Sequence, residues 1–170
     1  MAVRKVFGMQ NKIFQRNKKK EGICTAASLQ WAKICLTFKR GIGSYNQLQL
    51  SDHQINALMH IIREFDTNPV RQTTGMGLKL VGNGDHDILD VEGLHKIISE
   101  NAPHTGIFWN SFHTMGYRIG QAGNRKEYEW FDNNHGLYLS NDSGELLQFM
   151  KGYMGSNYGE NPCGVRIVSL

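Results

Sequence analysis

Gly22-Ile23-Cys24-Thr25-Ala26-Ala27-Ser28-Leu29-Gln30-Trp31 places a cysteine two residues after a turn-forming glycine, at the start of a run with helical spacing. Ala27, Trp31, Ile34, Cys35 and Phe38 recur at helical intervals. That puts them on one face of a helix from about Ile23 to Lys39. Cys24 lies one step back along the same face, at the helix N-terminus. Four backbone N–H groups there have no partner inside the helix, and the aligned peptide dipoles add partial positive charge. A thiolate is stabilised in that setting: the free-thiol pKa of roughly 8.5 falls to about 3.5–7.5 at such sites. The same cysteine reads equally well as a small buried core residue, a common role for a free cysteine.

The 170-residue length fits a single domain over 1–170 with enough chain to bury a core. Hydrophobic residues make up 40% and charged residues 20%, the balance of a soluble globular protein. No apolar run approaches the roughly 20 residues of a membrane span. Met1-Ala2-Val3-Arg4-Lys5 leads into no apolar stretch, so no cleaved signal peptide is expected, and Ala2 stands where myristoylation needs glycine. Three cysteines, Cys24, Cys35 and Cys163, lack metal-ligand spacing and do not make a disulfide framework. The expectation is a reducing compartment and no metal or cofactor. The net charge of +4 is modest. Its densest cluster, Lys18-Lys19-Lys20 after Arg16, reads as a solvated loop, or as a basic segment running into Cys24 that favours a thiolate or an acidic partner. No stripe of basic and aromatic residues appears elsewhere, so nucleic-acid binding is not expected.

Residues 1–21 are polar and basic, with Val6, Phe7, Ile13 and Phe14 as anchors to the body. Gly41-Ile42-Gly43 is the expected stop of the first helix. Ser51-Asp52 starts a second, with Ile55, Leu58, Met59, Ile62 and Phe65 as its apolar stripe, broken by Asn68-Pro69. Residues 70–86 read as loop-rich around a short strand at 77–81. A third helix starts near Asp90, with Val91, Leu94, Ile97 and Ile98 inward, and ends before Pro103. From there the period changes. Segments 105–109, 112–119, 127–131 and 136–139 are aromatic and β-branched, separated by glycine and asparagine, and read as an antiparallel meander. A helix after Asp142 and a strand over 164–170 complete the chain. Helices first and strands later predict an α+β fold: N-terminal helices, the nucleophile at the start of the first, packed on an antiparallel sheet from the C-terminal half.

A nucleophilic cysteine needs a base, and the base usually needs an orienting group. Seven histidines compete. His53 and His60 fall on the second helix, His95 on the third, His86 in a loop, His104 before a strand and His135 in a turn. His113 opens the second strand of the meander, where a side chain is held rigidly. Asp132 ends the strand Tyr128-Glu129-Trp130-Phe131-Asp132. Pairing of the two strands as a hairpin brings His113 and Asp132 to the same end.

Together these pieces resemble the YopT/AvrPphB-type papain-like cysteine peptidases, which are bacterial effectors. The resemblance is carried by Gly22-Ile23-Cys24 with Ser28 and Trp31, by His113-Thr114-Met115-Gly116, and by Glu129-Trp130-Phe131-Asp132-Asn133-Asn134-His135-Gly136, with Leu146-Leu147-Gln148-Phe149 matching the family's last helix. It covers roughly 22–40 and 105–155. Thr114 stands where the family usually has alanine, and Asn133 where it has proline. The resemblance implies a papain-like fold with Cys24 as nucleophile, His113 as base and then acid, and Asp132 as orienter. It also implies an oxyanion hole made by the Cys24 N–H and an upstream side-chain amide, for which Asn17 and Gln15 are available.

The expected function is a thiol protease, a virulence or toxin effector cleaving a protein of a host or competitor. Compact relatives include glutamine deamidases with the same triad, so protein glutamine deamidation or transamidation is the first alternative. A non-catalytic binding module is the second. The expected partners are a protein substrate and a chaperone or immunity protein. The expected location is a host or target cell cytoplasm reached without a cleaved signal, or otherwise the cytoplasm.

Overall fold

Segments that are apolar at consecutive positions, such as Ile107-Phe108 and Trp130-Phe131, can be strands only if both faces of their sheet are covered. The computed structural model describes residues 3–9, 23–48, 51–65, 68–82, 84–100, 104–111 and 113–170. Within them, Ile107 and Phe131 pack in one core with the helix that follows Cys24, and Phe108 and Trp130 pack in a second core on the other face.

Among the described residues, the strands are β1 (Arg4–Gly8), β2 (Lys79–Leu80), β3 (His86–Asp87), β4 (Thr105–Trp109), β5 (Thr114–Ala122), β6 (Arg125–Asp132), β7 (Gly136–Ser140) and β8 (Gly164–Ser169). The helices are α1 (Ile23–Phe38), α2 (Asp52–Glu64), α3 (Pro69–Gly75), α4 (Val91–Glu100) and α5 (Ser143–Asn157). The strands form one sheet in the order β1-β7-β6-β5-β4-β8-β2, with β3 also on β8, and every pairing is antiparallel. Helices α1 and α2 cover one face, and α4 and α5 the other. This is the expected α+β architecture of helices on an antiparallel sheet. No described helix is long and apolar enough to cross a membrane.

Several elements depart from the sequence expectation, among them His86, expected in a loop, which pairs with Val165 in β3. Residues 4–8 form an edge strand on β7 with a register shift between Lys5 and Phe7, where only anchoring by Val6 and Phe7 was expected. Gly136 makes this pairing possible, because a Cβ on it would lie 2.1 Å from the Phe7 carbonyl oxygen. The region after Pro69 begins with helix α3 and not with loop. The Asn68 side chain accepts the Arg71 N–H at 3.0 Å and Pro69 sits in the first turn, so the dipeptide expected to break the second helix starts α3 instead. Finally, α1 ends without a glycine. Lys39 takes the left-handed conformation at φ 56°, and the Arg40 N–H bonds the Cys35 carbonyl at 3.2 Å.

Helix α1 is also more deeply set than its expected stripe. Every residue from Ala26 to Ala32 is buried, including Ser28 and Gln30, whereas Phe38, expected inward, is 53% exposed. A helix enclosed on all sides shows little amphipathic contrast. Its anchor is Trp31, fully buried and stacked on Phe131 with ring centres 5.4 Å apart and planes 9° apart. Gly116 of β5 lets the indole lie against the strand: a Cβ there would be 2.5 Å from Trp31 Cε3. Trp31 therefore sets the depth of α1, and with it the position of Cys24.

Candidate active site

The first turn of α1 is tied to the start of β5. Thr25 Oγ1 and Thr114 Oγ1 are 2.9 Å apart, and Ser28 Oγ donates to the Thr114 carbonyl at 3.3 Å. These bonds hold Cys24 beside the residues that open the strand.

His113 directly precedes β5 and is not part of it. The turn between β4 and β5 is locked by one residue, Asn110. Its N–H donates to the His113 carbonyl at 3.0 Å, and its Oδ1 accepts the His113 N–H at 2.9 Å. The backbone that carries His113 is therefore as fixed as a strand would be. Asn110 was not singled out from sequence, although asparagine is a common turn-former for this reason.

The hairpin of β5 and β6 forms as expected. Gly116 pairs with Phe131, which brings Asp132 level with Met115 and close to His113. His113 Nε2 lies 2.7 Å from Asp132 Oδ1, and both side chains are buried. With Nε2 on the carboxylate, Nδ1 is the nitrogen left for the thiol of Cys24.

The electrostatics follow from this arrangement. Burial pushes the Cys24 thiol up, but the hydrogen bond and charge of His113, with hydrogen bonds from Thr114, outweigh it and leave the thiol below its ordinary value. Burial pulls His113 down, yet hydrogen bonding and charge from Asp132 and Cys24 hold it up to about 9. Burial raises Asp132, and the bonds from His113, Tyr153 and Tyr158 more than reverse that, so its carboxyl stays below the usual range. All three shifts favour a thiolate, an imidazolium and a carboxylate in one row.

The structure thus brings Cys24, His113 and Asp132 together. Gln15 and Asn17, the proposed oxyanion amides, and the Lys18–Lys20 cluster lie outside the described residues. The other histidines sit in different settings. His104 is held by the Tyr117 hydroxyl at 2.9 Å and the Ile98 carbonyl at 3.0 Å. His60 meets Glu64 on the surface of α2. His135 lies closer to the site than a turn residue need do, edge-on to the rings of Tyr153 and Tyr158. Cys35 is buried in the core and its thiol is pushed up by burial, while Cys163 is exposed. No group of three or more His, Cys, Asp or Glu among the described residues has metal-binding geometry.

A cleft of about 280 Å³ is lined by Thr25, which follows Cys24 in the chain, with Thr114, Trp109 and Ile107. Gln72, Asp85 and Arg166 line it as well. The Arg166 guanidinium takes both Asp85 oxygens, at 2.8 and 3.1 Å.

No protein-family profile matches the chain, and no curated protein matches it in sequence. Solved structures do. The chain is similar to the Pseudomonas avirulence protein AvrPphB, with a TM-score of 0.57 and 13% identity over 100% of this chain and 97% of that one. It is also similar to PatoxP, a cysteine protease-like domain of the Photorhabdus asymbiotica toxin PaTox, with a TM-score of 0.54 and 13% identity over 95% of this chain and 52% of that one. It therefore spans about half the length of the second structure. At this identity the likeness is one of fold, the papain-like α+β fold.

Proposed function

We propose that this chain is a single papain-like domain acting as a thiol protease on a protein substrate. The observation that carries the reading is His113 bridging Cys24 and Asp132 in a papain-like fold, with its Nε2 2.7 Å from the carboxylate.

The Cys24 thiolate attacks the scissile carbonyl carbon, and the carbonyl π electrons move onto oxygen. The Cys24 N–H, in the first turn of α1, is our candidate for one donor to that oxyanion. Asn17 or Gln15 is our candidate for the second donor. Imidazolium His113 gives its Nδ1 proton to the leaving amine as the C–N bond breaks, leaving a thioester on Cys24. Neutral His113 then takes a proton from water, the hydroxide adds to the thioester, and collapse releases the carboxylic acid and the thiolate. Asp132 keeps the imidazole in the tautomer and plane these transfers need.

A glutamine side chain attacked in the same way would release ammonia, leaving the main chain whole. AvrPphB is an avirulence protein and PatoxP belongs to a toxin. By that likeness we place this chain as an effector delivered into a host or competitor cell, with a chaperone or immunity protein as its partner before delivery.

Mass spectrometry of proteins from candidate target cells, incubated with wild type and with Cys24→Ser, tests the proposal. Cysteine-dependent fragments support proteolysis. A cysteine-dependent gain of about one dalton without cleavage assigns deamidation instead. Toxicity retained by Cys24→Ser with no change in any protein would mean that the chain acts by binding.

A further inference from the structure

Only one oxygen of Asp132 faces His113. Oδ1 accepts from His113 Nε2 at 2.7 Å and from the Asn134 N–H at 2.9 Å. Oδ2 points the other way and accepts two phenols, Tyr153 and Tyr158, each at 2.5 Å. Tyr153 lies in the last turns of α5, and Tyr158 is the residue at which that helix stops, its N–H bonded to the Met154 carbonyl at 3.0 Å. The Tyr158 ring also lies flat on the His113 imidazole, with centres 4.6 Å and planes 15° apart. One side chain thus touches both members of the His–Asp pair. Tyr153 is fixed in turn by Trp130, edge-on at 4.2 Å.

Resting on the reading of Cys24, His113 and Asp132 given above, we propose that Tyr153 and Tyr158 are positioning residues: together they hold Asp132 as a carboxylate in one orientation, and Tyr158 also fixes the plane of the His113 ring.

A phenol that donates to Oδ2 requires an acceptor there. A proton on Oδ2 would face two O–H groups already aimed at it, and at least one would have to turn away. Two donors on one oxygen therefore oppose protonation of Asp132, and they also oppose rotation of the carboxylate away from His113. Burial and the Asp132 charge hold both phenols above their ordinary range, so they stay donors. The titratable groups around Asp132 are His113, Tyr138, Tyr153, Tyr158 and His135, with Cys24 across the imidazole. A merely structural pair of tyrosines would cost stability when altered and leave the titration of Cys24 unchanged.

The test is the rate of Cys24 alkylation by iodoacetamide from about pH 4 to about pH 9, read by peptide mass spectrometry, with a thermal melt of each variant. The variants are Tyr153→Phe, Tyr158→Phe, the double Phe variant and Tyr158→Leu. The Phe changes keep the rings and the stack and remove only the hydroxyls. In the double variant the acid limb of the profile should move up by about half to one pH unit, which is about three- to tenfold slower alkylation on the limb. Tyr158→Leu, which loses the stack as well, should react more slowly than Tyr158→Phe. Should the double variant not fold, Tyr158→Phe decides, since it removes one hydroxyl from a partly buried ring.

Folded Phe variants with profiles superimposed on a wild type that is reactive at acid pH overturn this proposal alone. A wild-type Cys24 with ordinary thiol reactivity overturns the reading of the site and this proposal with it.

Discussion

Replacing Asp132 by asparagine and by alanine separates its charge from its space. Four hydrogen bonds end on the carboxylate: His113 Nε2 at 2.7 Å, the Asn134 N–H at 2.9 Å, and the Tyr153 and Tyr158 hydroxyls at 2.5 Å each. In Asp132→Asn the amide oxygen still accepts the first two, and the new NH₂ meets two hydroxyls that can turn and accept. The fold should hold to within about 1–2 kcal/mol. What disappears is the negative charge beside His113. The imidazole, held up to about 9 in part by that charge, then returns to roughly 6.5 or below. At about pH 7.5 a group titrating near 9 is almost fully protonated, whereas one near 6.5 is protonated about one time in eleven, so the imidazolium population falls about tenfold. Cys24 alkylation at that pH should slow accordingly, because the thiolate loses its counter-charge. Asp132→Ala instead leaves buried donors without an acceptor and takes the carboxylate partner from a buried imidazolium, at about 3–5 kcal/mol. For a chain of this size that is a melting midpoint lower by roughly 6–20 °C. An asparagine variant with the wild-type alkylation profile, or an alanine variant that melts like wild type, would refute the role given to this carboxylate.

The lowered Asp132 carboxyl contributes stability that is present above its unfolded value near about 3.9 and is lost as pH falls through the folded one. Wild type should therefore lose more melting temperature than Asp132→Asn on acidification below about pH 4. Iodoacetamide at about pH 6 should label Cys24 ahead of the exposed Cys163 and leave buried Cys35 unmodified in the folded protein; labelling of Cys163 first counts against an activated Cys24. Cys24→Ser should melt within a few degrees of wild type and lose all substrate turnover, and residual turnover would point to another nucleophile. Trp31→Ala empties a fully buried indole site and should cost about 3–5 kcal/mol in a denaturant melt. Gly116→Ala, with its Cβ 2.5 Å from an indole pinned against Phe131, should cost about 1–3 kcal/mol. A neutral result at either position would mean that α1 is seated by other contacts.

Much of the site was legible in one dimension because its signals are local. A cysteine opening a buried helix, a histidine just ahead of a strand and an aspartate closing the next strand are each marked by a change of residue period within ten positions. The short hairpin between β5 and β6 then leaves His113 and Asp132 little freedom to be apart. Local punctuation also misled. Asn68-Pro69 looked like a stop and is a start, and Phe38 continued the period of a helix whose last turn emerges into solvent.

The sequence by itself determined the α+β class, the helix that carries Cys24 and the strand pairing that joins His113 to Asp132. Period, turn residues and short loops act between near neighbours in the chain. Only the tertiary structure decided that 4–8 is an edge strand on β7, that Trp31 seats α1 against Gly116, and that Tyr153 of α5 and Tyr158 at its C-cap close on the far oxygen of Asp132. Each of these joins residues 21 to 135 positions apart. No periodicity encodes such a contact, because it depends on how the helices settle on the two faces of the sheet once the chain has packed.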